Sequence, residues 1–330
     1  MDRQPIWGLA LGSGSARGWA HLGVMRALHE LGIRPRVVTG CSVGAMVGAA
    51  WATRQLEVLE RWALSLNRRD LVGFLDITLG GSFIKGERVF QLFERYRDLR
   101  IEQLPRRFAT VATDLQTGER CDFTSGPLID AVRASMSMPG LLPPLHVDGR
   151  WLVDGGLTDP IPVRLCRQLG ATRVIAVNLN RGIVEAEASR QLAAGAETEV
   201  ETKTDGSSER PILDGLASVG DRLDVLTRRL RSKFEDTGEI EAPSAEMPEP
   251  PPSPPGLYDV MIGALHVMQD SITRISLEQH PPDIELCPRL GHIGMLEVYR
   301  AEEAMAEGRR VVEEAAARLR GMGAQDSSSG

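Results

Sequence analysis

The 330-residue chain has no excess of basic charge, no paired cysteines and no long apolar run. Each absence removes a class of function. Lys and Arg number 38 against 45 Asp and Glu, for a formal net charge of −7. No basic stripe of the kind that marks a general nucleic-acid binder is present, so no nucleic acid is expected as a partner. The four cysteines, Cys41, Cys121, Cys166 and Cys287, are scattered without a CxxC pair or metal-ligand spacing. A chain of this size does not need a disulfide framework, and a reducing compartment is the simplest reading. No cluster of metal ligands appears, and no cofactor is expected. The N-terminus lacks a basic region followed by an apolar stretch, because Gly8, Gly12, Gly14 and Gly18 interrupt it. Nothing there reads as a signal peptide, and no apolar run is long enough to cross a bilayer. The expected location is the cytoplasm, at most peripheral to the inner face of a membrane.

What is present has the order of a parallel α/β protein. Residues 6–11 (IWGLAL) read as a short buried strand ending in glycines, and Leu22, Met25, Leu28 and His29 then fall at helical spacing. A second β-branched strand at 37–39 runs at once into a small-residue helix over 44–53. Strand, helix, strand, helix in quick succession predicts a mostly parallel sheet. Further strands are expected at 108–113, 150–153, 174–178 and 284–286. The segment 54–100 is mostly helical in pattern, with Leu56, Leu59, Ala63 and Leu66 on one face. After Leu179 the composition changes. Residues 181–210 are rich in Glu, Ala, Ser and Thr, and 242–256 form a proline-rich linker. The chain therefore reads as one domain over 1–180 and 257–320, carrying a partly disordered insertion at 181–256 and a disordered tail at 321–330. Helices are expected over 257–276 and 297–319.

Three motifs carry chemistry. Gly40-Cys41-Ser42-Val43-Gly44 is a G-x-S-x-G between a strand and a helix. Its glycines, Gly40 and Gly44, suit a sharp, strained turn that lifts the serine hydroxyl clear of the sheet, near the positive end of the next helix. The bland alternative is a glycine-rich turn with a buried serine. Gly12-Ser13-Gly14-Ser15-Ala16-Arg17-Gly18 lies at another strand-to-helix turn, where converging N–H groups suit a phosphate or an oxyanion. A dinucleotide site would need an acidic residue after the next strand, and that strand ends in Thr39-Gly40. A P-loop would need Lys-Ser or Lys-Thr, which is absent. The third motif, Leu152-Val153-Asp154-Gly155-Gly156, ends a strand and lets another backbone or a substrate approach closely. Alone, Asp154 would read as a capping aspartate.

Together the three motifs resemble the patatin-like phospholipases, most closely their bacterial RssA-type branch, over 6–179 and more loosely over 257–319. The resemblance implies a three-layer α/β/α fold with a mostly parallel central sheet. It implies Ser42 as nucleophile, Asp154 as base, and an oxyanion hole from Gly12, Ser13, Gly14, Arg17 and the Val43 N–H. Thr113-Asp114 and the block from Arg133 to Gly140 also match, the latter shaping the substrate cleft in the family. Ser13 departs from the glycine many relatives carry, which the backbone donor tolerates if Ser13 needs no positive φ. Asp159 stands where Asn is frequent.

The implied activity is hydrolysis of lipid carboxylic esters, of the phospholipase A or lysophospholipase kind, through an acyl-serine. No histidine sits in a motif that would complete a triad, so a Ser–Asp dyad is expected. His21 reads as a helix-surface residue and His146 as a packing residue. Arg17 either steadies the glycine loop, attracts a lipid phosphate, or lies on the surface without a role. Two alternatives remain: a non-enzymatic regulatory or scaffold protein keeping this fold, and an esterase or thioesterase of soluble substrates. Expected partners are a lipid or ester substrate, with a homo-oligomer left open. Within 214–234, Leu216, Val219, Leu223, Leu226, Leu230 and Phe234 recur at helical spacing beside Arg228, Arg229 and Arg231. That pattern suits either a helix on an anionic membrane or one packed on the domain.

Overall fold

The computed structural model describes residues 5–68, 96–183 and 257–324. The chain divides into two units, 1–186 with 266–330 and 187–265. Of the second unit only 257–265 are described, as the first turns of a helix. The candidate helix at 214–234, the proline-rich stretch 242–256 and the insertion beyond Ile183 lie outside the described residues.

Eight strands form one sheet: β1 (Trp7–Leu11), β2 (Val37–Gly40), β3 (Arg107–Asp114), β4 (Arg120–Phe123), β5 (Leu145–Val147), β6 (Arg150–Asp154), β7 (Arg173–Val177) and β8 (Ile284–Leu286). Their order is β5-β6-β3-β2-β1-β7-β8, with β4 paired to β3. The five strands from β3 to β8 along this path are parallel, and β4, β5 and β6 are antiparallel. The helices are α1 (Ala20–Glu30), α2 (Val43–Ala52), α3 (Leu56–Ser65), α4 (Leu128–Met136), α5 (Val163–Gln168), α6 (Leu257–Gln279), α7 (Ala301–Glu314) and α8 (Ala316–Ala324). Side chains alternate across the sheet as the pleat requires. Leu9, Leu11, Ile175 and Val177 join a core with residues of α1, α2 and α7. Between them, Ala10, Val174 and Ala176 pack with Val163 and Cys166 of α5 on the other face. The molecule is thus an α/β/α sandwich around a mostly parallel sheet.

The expected helix at 297–319 is interrupted at Ala315, where α7 ends and α8 begins. Helix α8 runs to Ala324, so 321–324, expected within a disordered tail, are helical.

One edge of β3 positions the site. Its first half pairs with β2 as far as Thr110 opposite Gly40, and its second half pairs with β6 from Ala112 opposite Asp154. Both Thr110 and Ala112 also pair with β4, which occupies the opposite edge. Strand β6 therefore takes over the edge that β2 leaves. The chain turning out of β2 and the end of β6 are brought together by backbone pairing alone.

Helices α1 and α7 meet at backbone distance. A Cβ on Gly23 would run into the Met305 carbonyl, and one on Gly308 into the carbonyl of Ala20. Neither obstacle is a side chain that can rotate away, so even a methyl group forces the helices apart. Gly308→Ala should lower unfolding free energy by about 1–3 kcal/mol. Gly321→Ala, placed where nothing lies within 4 Å, should leave it unchanged or raise it by up to ~1 kcal/mol. Urea unfolding of the two variants makes the comparison.

Candidate active site

Ser42 sits between β2 and α2 at φ 55°, ψ −122°. This is a sparsely populated region for a side-chain-bearing residue, and it costs of order 1–3 kcal/mol. The surroundings enforce it. Gly40 and Gly44 cross so closely that a Cβ on Gly40 would strike Gly44, and one on Gly44 would strike the Leu11 carbonyl. Helix α2 is small and apolar, every residue of it buried, and it lies directly on the sheet. The turn is also tied from α4, where Ser135 Oγ accepts the Ser42 N–H at 2.9 Å. Ser42 itself is 8% exposed.

Asp154, at the end of β6, is 1% exposed. Its backbone N–H donates to Ser137 O at 2.9 Å, and its carbonyl accepts from Thr113 Oγ1 at 2.9 Å. The block from Arg133 to Gly140 thus fastens both motif residues, Ser135 on Ser42 and Ser137 on Asp154. In the carboxyl group, Oδ1 accepts the Gly156 N–H at 2.7 Å and faces the Cys41 thiol at 3.9 Å. Oδ2 is buried and has no full hydrogen bond. The Ser42 hydroxyl lies close enough to stabilise the carboxylate, but more loosely than a full hydrogen bond. Burial dominates and raises the Asp154 pKa to about 6, against the smaller downward pulls of Ser42, Gly156 and Cys41. Gly155 passes so close to β3 that a Cβ would meet the Val111 carbonyl.

The glycine loop is fixed one peptide plane at a time. The plane joining Gly12 to Ser13 is held at both ends, the Gly12 carbonyl by His21 Nε2 at 2.8 Å and the Ser13 N–H by Pro160 O at 3.0 Å. The Gly12 N–H donates to Val177 O at 3.1 Å. The Gly14 carbonyl accepts both the backbone N–H and Nε of Arg17, at 3.1 and 3.2 Å. Three of the expected oxyanion donors, the N–H groups of Gly12, Ser13 and Arg17, are therefore already engaged. Among the described residues, the N–H groups of Gly14, Ser15 and Val43 have no acceptor. Ser13 has no positive φ, so it fills a glycine position without strain.

His21 differs from expectation, and Arg17 takes one of the roles left open to it. His21 is fully buried, not on a helix surface, and desolvation lowers its pKa to about 4. It is a neutral donor to the loop, with Nδ1 unpartnered. Arg17 is 1% exposed, and its Nη2 donates to His266 Nε2 on α6 at 3.2 Å. Helix α6 brings further polar groups inward from 266 onward. His266, Gln269 and Thr273 are buried, and Ser276 donates to Asp159 at 3.5 Å. A Cβ on Gly156 would collide with the Gln269 amide. Val267, Met268 and Ile275 of the same helix are about half exposed. Asp159 is 2% exposed and accepts from Arg120 at 2.6 Å. The other histidines stay away from Ser42. His146 is exposed against the Trp151 ring at 4.8 Å, and His292 pairs with Glu303 at 2.6 Å. Among the described residues no group of His, Cys, Asp or Glu is placed to hold a metal, and no helix is long and apolar enough to cross a membrane.

The profile described as "Patatin-like phospholipase" matches residues 9–167. A protein of Mycobacterium tuberculosis named as an uncharacterized NTE family protein is 34% identical, over 94% of this chain and 91% of its own. Human patatin-like phospholipase domain-containing protein 6 is 36% identical over 52% of this chain and 13% of its own. The Drosophila melanogaster neuropathy target esterase sws is 34% identical over 52% and 13%. Among solved structures, VipD from Legionella pneumophila covers 99% of this chain and 78% of its own, at 15% identity and a TM-score of 0.33.

The buried carboxyl makes stability depend on pH. Because the Asp154 pKa is raised from 3.8 to about 6 on folding, the folded state holds this proton more tightly than the unfolded chain. Stability contributed by the protonated form is full below pH about 4 and is lost as pH rises through about 6, by roughly 3 kcal/mol in all. Asp154→Asn should remove this part of the decline. The difference between wild-type and variant unfolding free energies, measured from pH 4 to 7, tests it.

Proposed function

The chain belongs to the patatin-like phospholipase family, and on that premise we propose that it is a serine acyl hydrolase of lipid carboxylic esters working through a Ser42–Asp154 dyad. The observation that carries this reading is a strained Ser42 at the N-cap position of α2 together with a buried Asp154 carboxyl whose Oδ2 has no hydrogen bond and whose charged form Ser42 favours. Looseness of the contact does not count against it, since catalytic hydrogen bonds often tighten only with substrate bound.

The chemistry runs as follows. Ser42 Oγ attacks the ester carbonyl carbon while its proton passes to Asp154 Oδ2. The carbonyl oxygen becomes an oxyanion, received by the N–H groups of Gly14 and Val43, with that of Ser15 beside them. The positive end of α2 adds to the same stabilisation. Collapse of the intermediate breaks the ester C–O bond, and the proton on Asp154 goes to the departing alcohol or lysophospholipid. A water then gives its proton to Asp154 as its oxygen attacks the acyl-serine, and the second collapse returns a proton to Ser42 and releases the fatty acid. A pKa near 6 makes Asp154 a better proton acceptor than an ordinary aspartate while leaving it mostly ionised at neutral pH. His21 and Arg17 act through the loop, by fixing the planes that aim the free amides. The words phospholipase and esterase in the relatives' names support a lipid ester as substrate. The order of the three motifs supports the same assignment of nucleophile and base.

A fluorophosphonate probe should label the wild-type protein and leave Ser42→Ala unlabelled, although the variant unfolds at a normal temperature. Equal labelling of the two would overturn the assignment of the nucleophile.

Asp154→Asn should cost at least about a hundredfold in turnover of a short-chain nitrophenyl ester, the low end for a positioned general base. Wild-type activity should rise with pH through about 6 as Asp154 loses its proton. Retention of that rising limb in Asp154→Asn would assign the base elsewhere.

A further inference from the structure

The strands begin at the end of the sheet opposite Ser42, and there lies a cavity of about 920 Å³. Residues leading into β1, β2 and β3 form part of its wall, with the C-terminal ends of α1 and α2 and the start of α3. Six arginines line it: Arg26, Arg34, Arg36, Arg54, Arg106 and Arg107. The carboxylates present are Glu30, Glu57 and Glu60. Two of these are taken, Glu30 by Arg309 at 2.5 Å and Glu60 by Arg26 at 2.8 Å. The bonds made by the other arginines go to uncharged acceptors. Arg34 donates to a His29 ring nitrogen at 2.7 Å, Arg106 to Trp51 O at 2.8 Å, and Arg107 to Leu169 O at 3.2 Å. Among the described residues, none of these three, nor Arg36 or Arg54, has an ion pair with a carboxylate. Five such guanidinium groups in one concavity stand out in a chain whose net charge is −7.

The cluster is also held together against repulsion. Arg106 lies over the Trp51 ring, 4.8 Å from its centroid, half withdrawn from water. Burial first, and Arg54 second, make its charged form harder to keep. Arg54 is held at φ 60°, a left-handed position just beyond α2 where glycine is the usual occupant. Cations at helix C-termini are favourable in themselves, which accounts for Arg106 at the end of α2 and for Arg34 just beyond α1. It does not account for Arg36 and Arg107, which stand at the starts of strands. Leu22, Met25, Ile33 and Trp51 supply buried apolar surface in the same wall. The guanidinium fork matches phosphate oxygens, and several forks around one concavity suit a multiply charged group better than a single carboxylate.

We infer that this cavity is a second ligand site, separate from Ser42, that binds a phosphate-bearing anion. The same chemistry is offered by the phosphomonoester headgroup of a lipid and by a soluble phosphate ester, and the site is independent of which reaction Ser42 performs.

The test uses the full chain and two probes at physiological ionic strength. Inorganic pyrophosphate is titrated by calorimetry, and phosphatidylcholine vesicles with or without a minor fraction of phosphatidic acid are sedimented with the protein. The variant is Arg36→Gln/Arg54→Gly. Its glycine fits the left-handed φ, and neither residue belongs to the Ser42 machinery, so nitrophenyl ester hydrolysis serves as the check on folding. A second variant, Arg34→Gln/Arg107→Gln, replaces it if that check fails. Binding of either probe, weakened about tenfold or more in the variant, supports the site. Binding of pyrophosphate without the vesicles identifies a soluble ester, and binding of phosphatidic acid vesicles alone identifies a headgroup. Binding of neither probe by the wild type, or equal binding by wild type and variant, overturns the inference whatever the ester assay gives.

Discussion

The Asp154 carboxyl is buried with one oxygen fixed by the Gly156 amide and the other without a hydrogen-bond partner, and Ser42 lies near enough to favour its charged form. Most of the surrounding structure serves that arrangement. A lone carboxylate in an apolar interior tends to be neutral, and only directed N–H and O–H groups keep it ionisable near neutrality. Those groups come from two separate stretches of chain, Cys41–Ser42 and Gly156, so their alignment needs a rigid frame. The frame is the edge of β3, where β6 continues the line that β2 abandons. Glycines then allow what the pairing demands. Gly40, Gly44 and Gly155 each lie where a single methyl group would meet a neighbouring backbone.

Around this pair the polar interior is arranged in layers. Ser135 and Ser137, two residues apart, reach Ser42 and Asp154 from the same helix end. His21 and Arg17 hold the carbonyls of Gly12 and Gly14, while among the described residues the Gly14 and Ser15 amides have no acceptor. A buried N–H without a partner is costly. On the reading proposed above, the amides of Gly14 and Val43, with that of the half-buried Ser15, are places for an incoming oxygen. The neutral state of His21 matters here. A protonated ring would put a charge into the buried interior, and that desolvation is what holds the pKa down.

Much of this was legible in the sequence, for identifiable reasons. The strands later seen as β1, β2, β3, β6, β7 and β8 are apolar or β-branched runs closed by glycine or polar residues, and the three motifs sit at their ends. What escaped notice was short or inverted. Helix α5 has six residues, too few for the helical period to show. The burial of His21, and of Arg17 whose place on the loop or at the surface the sequence leaves open, is unexpected for polar types that ordinarily face water. Here they face inward, where carbonyls of the loop await donors. His21 follows Arg17 by four positions, which places both on one side of the turning chain. Polar residues recurring at that spacing beside a glycine-rich turn were the available signal. The engagement of the Gly12 and Ser13 amides could not be seen at all, because their acceptors, Val177 and Pro160, are distant in sequence.

The close crossing of α1 and α7 has a consequence for how the molecule is made. Arg309 and Glu30, which pair across it, are 279 positions apart. Strand β8 likewise joins β7 only after the whole of 184–256 has been synthesised. A ribosome will therefore expose the apolar faces of α1 and β7 well before their covers exist. Contacts of such long range are slow to form and leave the nascent chain open to misassociation. Chaperone dependence during synthesis, rather than weakness of the finished fold, is where this topology is most vulnerable.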